Sequence, residues 1–327
     1  MRRRDFITWV GGATAWPFGT RAQQPAMPVV GFLSDASQDS FPDRLSAFRH
    51  GLGEQGYIEG KNIVIDYRWA NGERDQLPAL AADLVRKRVK VIAAIGGPPQ
   101  ALAAKQASSG IPIVFQVGAD PVAMGLVESL AHPGGNMTGV TSMNTDVVSK
   151  RLELMHQLAP SATSIALLVD PTYPVNAENE KKEMQTAAQT LRLEIHVLGA
   201  NSDSEFEAVF ANLRSLKIGA LVLGSAQLFT SNSQKLSALA IRDGIPAVSP
   251  YREFPAAGGL MSYGGDIAES WRLAGVYTGR VVKGEKPADL PVQQSTKFDF
   301  VINMKTAKTL GLAIPPGVLS IATRVIE

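Results

Sequence analysis

The side chains able to do covalent chemistry are few and scattered. Four histidines, His50, His132, His156 and His196, stand far apart, with no His-Glu-x-x-His or paired i, i+4 spacing, so they form no metal-ligand pattern. The chain has no cysteine, which removes disulfides, thiol nucleophiles, iron–sulfur clusters and cysteine zinc sites together. There is no G-x-S-x-G elbow, no Walker A sequence and no G-x-G-x-x-G between a strand and a helix. Hydrolase and dinucleotide chemistry therefore lack support, and neither enzymatic activity, nor a metal site, nor a cofactor is expected. What remains are short polar loops at the ends of apolar runs, and their chemistry is recognition.

In the first half these loops are Ser34-Asp35-Ala36-Ser37, Gly96-Gly97-Pro98-Pro99-Gln100 and Gly118-Ala119-Asp120, the last leading into a helix predicted to open at Pro121. Helix N-termini carry N–H groups without intrahelical acceptors and attract carboxylates, each interaction worth about 0.3 to 1 kcal/mol. Pro98 and Pro99 have no N–H to give, so only Gly97 and the residues from Gln100 onward can hold an anion at that loop. Simple capping and turn formation compete with ligand binding at each loop, Asp120 included. In the second half, Asp170-Pro171-Thr172-Tyr173-Pro174-Val175-Asn176, Gly224-Ser225-Ala226-Gln227 and Ser249-Pro250-Tyr251-Arg252 take the matching places. Tyr173 and Tyr251 offer aromatic faces and hydroxyls to a ligand with an apolar or aromatic part. Asp266 has two readings: a partner for a ligand ammonium or, with Glu269 three residues on, the N-cap of a helix. The candidate ligand-binding residues are thus Ser34, Asp35, Gly97, Gln100, Gly118, Asp120, Tyr173, Asn176, Ser225, Tyr251 and Asp266.

The elements that must carry these loops follow from hydrophobic pattern. Short β-branched runs begin near residues 29, 63, 91 and 113, and again near 165, 194, 220 and 246, as expected of strands buried on both faces of a parallel sheet. Helical spacing lies between them: Leu45, Phe48, Leu52 and then Leu77, Leu80, Leu84 at i, i+3, i+7, a third helix over 99–107 and a fourth from Asp120-Pro121. The second half predicts helices over 181–191, 205–216 and 233–243, after the Gly-rich bridge Pro133-Gly134-Gly135-Asn136. The fold class is therefore α/β, two doubly wound Rossmann-like lobes of similar rhythm with a central cleft. Ligands of such sheets sit outside the carboxyl ends of the strands.

The chain of 327 residues, 45% hydrophobic, is long enough for two domains with full cores, which excludes disorder. Lys and Arg number 32 against 30 Asp and Glu, a net charge of +2, far short of the basic excess of a nucleic-acid binder. Residues 1–22 read as a signal peptide: Arg2, Arg3 and Arg4, an apolar run from Phe6 to Trp16, and small residues at Thr20 and Ala22. The apolar run is too short to span a membrane, so no membrane insertion is expected after cleavage. Arg3-Arg4-Asp5-Phe6-Ile7 fits the twin-arginine export pattern, an ordinary Sec signal being the alternative. Cleavage before Gln23 removes four arginines against one aspartate and leaves a mature chain close to neutral, expected in the periplasm.

From about Val29 to Glu327 the chain resembles the ABC transporter substrate-binding proteins of the tryptophan-binding, TrpX-like type. The resemblance lies in Ile111-Pro112-Ile113-Val114-Phe115 with Asp120-Pro121-Val122 and Gly125-Leu126-Val127, then Pro133-Gly134-Gly135-Asn136-Met137-Thr138-Gly139. It continues through Gly258-Gly259-Leu260-Met261-Ser262-Tyr263-Gly264, the stretch from Lys283 to Val292, and Ile302-Asn303-Met304-Lys305-Thr306-Ala307 with Leu310-Gly311. It implies a periplasmic binding protein of type I, monomeric, whose lobes close by a hinge on a small solute and deliver it to an ABC permease. It implies three crossings between lobes, near Thr141, near Tyr263 to Asp266 and near Lys297. One lobe would then be 28–141 with about 266–297, the other about 142–265 with 298–327. Two positions depart from the family pattern: Pro98 where a hydroxyl is common, and Ser225 where an Asp is common. An amino acid or a related small carboxylate, aromatic or not, is the expected ligand. The alternative role is a periplasmic sensor presenting its ligand to a membrane receptor.

Overall fold

A computed structural model describes residues 27–327; the expected signal peptide, residues 1–22, lies outside the described residues. Five parallel strands, β1 (Val29–Ser34), β2 (Val64–Trp69), β3 (Val91–Ile95), β4 (Ile113–Val117) and β5 (Met137–Thr141), stand in the order β2-β1-β3-β4-β5. Helices α1 (Pro42–Glu54), α2 (Leu77–Arg86) and α3 (Pro98–Ala107) connect the first four. The five apolar residues of β3 are all buried because both faces are covered: Val91, Ala93 and Ile95 join one core, Ile92 and Ala94 another.

The chain then enters a second sheet of the same order. It comprises β6 (Ser164–Val169), β7 (Glu194–Gly199), β8 (Ala220–Leu223), β9 (Ala247–Ser249) and β10 (Met261–Gly265), ordered β7-β6-β8-β9-β10. Its helices are α4 (Val148–Leu158), α5 (Pro174–Leu191), α6 (Phe206–Ser215), α7 (Gln227–Ser231), α8 (Ser233–Arg242) and α9 (Glu253–Ala256). Strand order reverses between β1 and β3 and between β6 and β8, where loops of adjacent strands part and open a crevice.

After β10 the chain returns to the first lobe as α10 (Ile267–Lys283), which packs along α1. Leu45, Phe48 and Leu52 of α1 share a core with Trp271, Ala274, Tyr277 and Val281 of α10. The helices approach backbone to backbone: a Cβ on Gly51 would fall on the Arg272 carbonyl, and one on Gly275 on the Phe48 carbonyl. The chain adds β11 (Gln293–Gln294) beside β5, then crosses again to form β12 (Phe298–Asn303), α11 (Met304–Thr309), α12 (Pro316–Ser320) and β13 (Arg324–Ile326) on the second sheet. The three crossings are tied to one another. Gly265 N donates to Asn144 Oδ1 (2.6 Å), Asp266 N to the Lys297 carbonyl (2.8 Å) and Ser295 N to the Thr141 carbonyl (2.8 Å).

Several elements differ from the sequence expectation. No helix opens at Asp120-Pro121; residues 121–125 are turns, closed by Gly125 with φ +66° as the chain doubles back towards β5. β12 runs antiparallel to β10, because the chain re-enters from the crossing side where β10 leaves. Helix α5 begins at Pro174 instead of 181, and β2 continues past Ile65 to Trp69 as an edge strand with half-exposed residues. β5 and β10 hide in polar and glycine-rich stretches, Met137 to Thr141 and Met261 to Gly265.

Candidate ligand-binding cleft

Loops from both sheets meet over a narrow space of about 20 Å3, room for about one water molecule with the lobes this close, so a larger guest needs them to part. The first lobe contributes Gly96, Gly97 and Pro98 after β3, and Gln116 and Gly118 at the end of β4. Arg44 of α1 and Ile267 and Trp271 of α10 complete that wall. The second lobe contributes Tyr173 and Asn176 at the start of α5, Ser225 and Gln227 after β8, and Tyr251 after β9. Glycine is required at 96: its φ is +118°, and a Cβ there would lie 2.8 Å from Gln100 Nε2 and 3.3 Å from Ser34 Oγ. The N–H groups of Gly97 and Gly118 donate to no acceptor among the described residues.

Two arginines bridge the lobes at the rim. Arg74, in the turn before α2, donates from Nη1 to Asp170 Oδ2 (2.9 Å) and from Nε to Asp35 Oδ2 (3.4 Å), and its guanidinium lies 4.1 Å from the Tyr173 ring centroid. The Tyr173 hydroxyl also donates to Asp35 Oδ2 (3.1 Å), and Gln100 Nε2 donates to Asp35 Oδ1 (2.7 Å). Burial pushes the Asp35 carboxyl above its ordinary range, against the pull of Arg74 and of the Tyr173 hydroxyl. On the other side Arg44 donates from Nε to Glu253 Oε1 of α9 (3.1 Å), with its guanidinium 4.0 Å from the Phe41 ring centroid and 5.4 Å from that of Tyr251.

Beneath the second-lobe wall lies a fully buried ion pair. Arg151 of α4 faces Glu180 of α5 at 3.4 Å and donates to the Asn144 carbonyl (3.0 Å). Glu180 Oε1 accepts from Ser225 N (2.8 Å), which fixes the loop after β8. Burial pushes the Glu180 carboxyl up and the Arg151 guanidinium down, each opposed by the charge of its partner.

Of the sequence candidates, Gly97, Gly118, Tyr173, Asn176, Ser225 and Tyr251 lie on the wall of this space. Asp35 and Gln100 sit behind it as buried neighbours of Tyr173 and Gly96, with Ser34 beside them. Asp120 and Asp266 are elsewhere. Asp120 Oδ1 accepts from Val122 N (2.8 Å) and shapes the turn that replaces the expected helix. Asp266 Oδ1 accepts from Glu269 N (3.1 Å), the contact of the helix-cap reading, and the residue is not on the wall of this space. Sequence reasoning missed Arg44, Arg74, Gln116, Trp271 and the Arg151–Glu180 pair. Only Gln116 carried a signal, as a polar residue inside the apolar run that ends β4.

The profile of a family described as ABC transporter substrate binding protein matches residues 29–326. A tyrosine-binding protein of Clostridioides difficile (strain R20291) is 28% identical over 283 residues, covering 86% of this chain and 81% of the relative. The crystal structure of an ABC domain in complex with L-Trp from Streptococcus pneumoniae superposes with a TM-score of 0.84 at 25% identity, covering 92% of this chain and 100% of that one. A periplasmic binding protein/LacI transcriptional regulator from Alkaliphilus metalliredigens shares the fold alone, with a TM-score of 0.58 at 11% identity over 83% of this chain and 96% of its own. The two-lobed architecture is that of type I periplasmic binding proteins.

Proposed function

The chain belongs to the ABC transporter substrate-binding protein family, transport components and not enzymes, and on that premise we propose that it captures an aromatic amino acid or a closely related small carboxylate in the periplasm for import. The observation that carries this reading is the wall itself. Tyr173, Tyr251 and Trp271 supply aromatic faces, while the open N–H groups of Gly97 and Gly118 offer donors to a carboxylate. Relatives that bind tyrosine and L-Trp support the same ligand class.

Capture works by stabilised closure. The moving bodies are residues 28–141 with about 266–297, and about 142–265 with 298–327. A ligand that touches both walls binds the closed form better and draws the equilibrium towards it. The closed receptor then docks on its inner-membrane permease.

The test is a thermal-shift screen of protein beginning at Gln23, unfolded and refolded to strip carried-over ligand. At about 100 times its dissociation constant a ligand stabilises by roughly 2.7 kcal/mol, a shift of several degrees. Shifts with aromatic amino acids or aromatic carboxylates are expected. A response confined to sugars or nucleosides would overturn the ligand class.

A further inference from the structure

We propose that Gln116 of the first lobe, with Asn176 and Ser225 of the second, forms a three-oxygen receptor for the ligand's nitrogen, built from neutral groups and not from a carboxylate. The proposal rests on the reading of the ligand as an amino acid and names what recognises its ammonium group.

The three side chains are 2%, 4% and 8% exposed and line one cavity. Gln116 Oε1, Asn176 Oδ1 and Ser225 Oγ each lack a hydrogen-bond partner among the described residues. Buried polar atoms are rarely left in that state, so these three acceptors, with the unpartnered Trp271 Nε1–H donor on the same wall, point to partners brought by a ligand. The orientation of Gln116 is fixed by its surroundings. Its Nε2 faces the Val117 carbonyl at 3.4 Å, and turning the amide over would set oxygen against oxygen. Asn176 makes no side-chain hydrogen bond, so its amide is uncommitted. Ser225 is held in place by its own N–H on Glu180, which leaves the hydroxyl for the cavity.

The count matches the chemistry. An ammonium group carries three N–H donors, a hydroxyl one and a carboxylate none. The carboxylates nearby are committed elsewhere. Asp35 already accepts from Gln100, Tyr173 and Arg74, Glu180 from Ser225 and Arg151, and Asp266 caps α10. The receptor also straddles the cleft, with Gln116 on β4 and the other two across from it. Because Gln116 stands on one wall and Asn176 and Ser225 on the other, an ammonium group held by all three would reward closure directly.

The experiment compares L-tyrosine and L-tryptophan with their deaminated counterparts, 3-(4-hydroxyphenyl)propionate and indole-3-propionate. Dissociation constants are measured by calorimetry on ligand-stripped wild type, Gln116→Met and Asn176→Ala, each checked for folding by circular dichroism. Wild type should bind the amino acid at least tenfold more tightly than its deaminated partner. Either substitution should weaken the amino acid at least tenfold and move the deaminated acid less than threefold, erasing the preference. Equal weakening of both ligands, or a wild type that binds the deaminated acid as tightly, would overturn the receptor while leaving the aromatic-acid reading in place. A folded wild type that binds neither pair but responds to sugars or nucleosides would overturn both.

Discussion

Replacing Arg74 by Met should weaken ligand binding without weakening the fold. The side chain reaches from the first lobe to Asp170 and Asp35 and covers the ring of Tyr173. Removing one partner of a buried ion pair costs about 3–5 kcal/mol, because the other charge is left stranded. Arg74 is 23% exposed, so solvent screens part of this, and about 2–3 kcal/mol is the reasoned loss for the closed form. That corresponds to an affinity lower by about 30- to 150-fold. On opening, Asp170 would leave with the second lobe and Tyr173 would uncover Asp35 to water, so the ligand-free melting temperature should change little. The pH dependence sharpens the test. Burial raises the Asp35 carboxyl, so its ionised form is disfavoured in the closed state, a cost present above the raised pKa and relieved as pH falls through it. Without Arg74 this carboxyl rises further, and the affinity deficit should shrink on going from about pH 7 towards pH 5. Titration calorimetry at both pH values, with melting curves with and without ligand, decides the matter. Unchanged affinity, an equal fall in both melting temperatures, or a deficit that grows on acidification would refute the reasoning.

Asp266→Ala removes the cap of α10 and should lower stability by about 1 kcal/mol, read as a drop in melting temperature, with the ligand dissociation constant unchanged. Arg151→Met strands the buried Glu180 and should cost about 3–5 kcal/mol in urea denaturation. Because burial already raises the Glu180 carboxyl, protonation at lower pH should recover part of that loss, and adding Glu180→Met should recover more.

Much of the frame was legible because burial on two faces leaves a plain mark. The apolar run 91–95 can hardly be anything but an inner strand, and Leu45, Phe48 and Leu52 mark one face of α1. Position after a strand also led to Tyr173, Asn176, Ser225 and Tyr251, since parallel sheets present those loops on one side. The edges of the reading follow from physics as well. Pro121 suits a first helical turn, yet Gly125 ends any helix before it can repay its nucleation. Met137 to Thr141 and Met261 to Gly265 are largely buried, with Met137, Val140 and Met261 in the cores, but interspersed glycines and hydroxyls break the apolar run by which an inner strand is read. Arg44 and Trp271 stand on helices more than two hundred residues apart, and only the packing of α1 on α10 brings them to one wall. Asp266 has the same local pattern whether it caps a helix or meets a ligand, so coordinates alone distinguish the roles.

The hydrogen bonds that join the three crossings pairwise limit how the molecule can move. Three independent tethers would let the lobes rock, twist and slide. Laced together, they bend as one strip, and the relative motion reduces to a single angle. Arg44–Glu253 and Arg74–Asp170 then lie along the same coordinate and part in the same step. A half-open form would keep neither bridge and gain no ligand contact in exchange, which would divide the population between two positions. On the proposed role, a permease that senses the spacing of the lobes would then receive a yes-or-no message instead of a graded one.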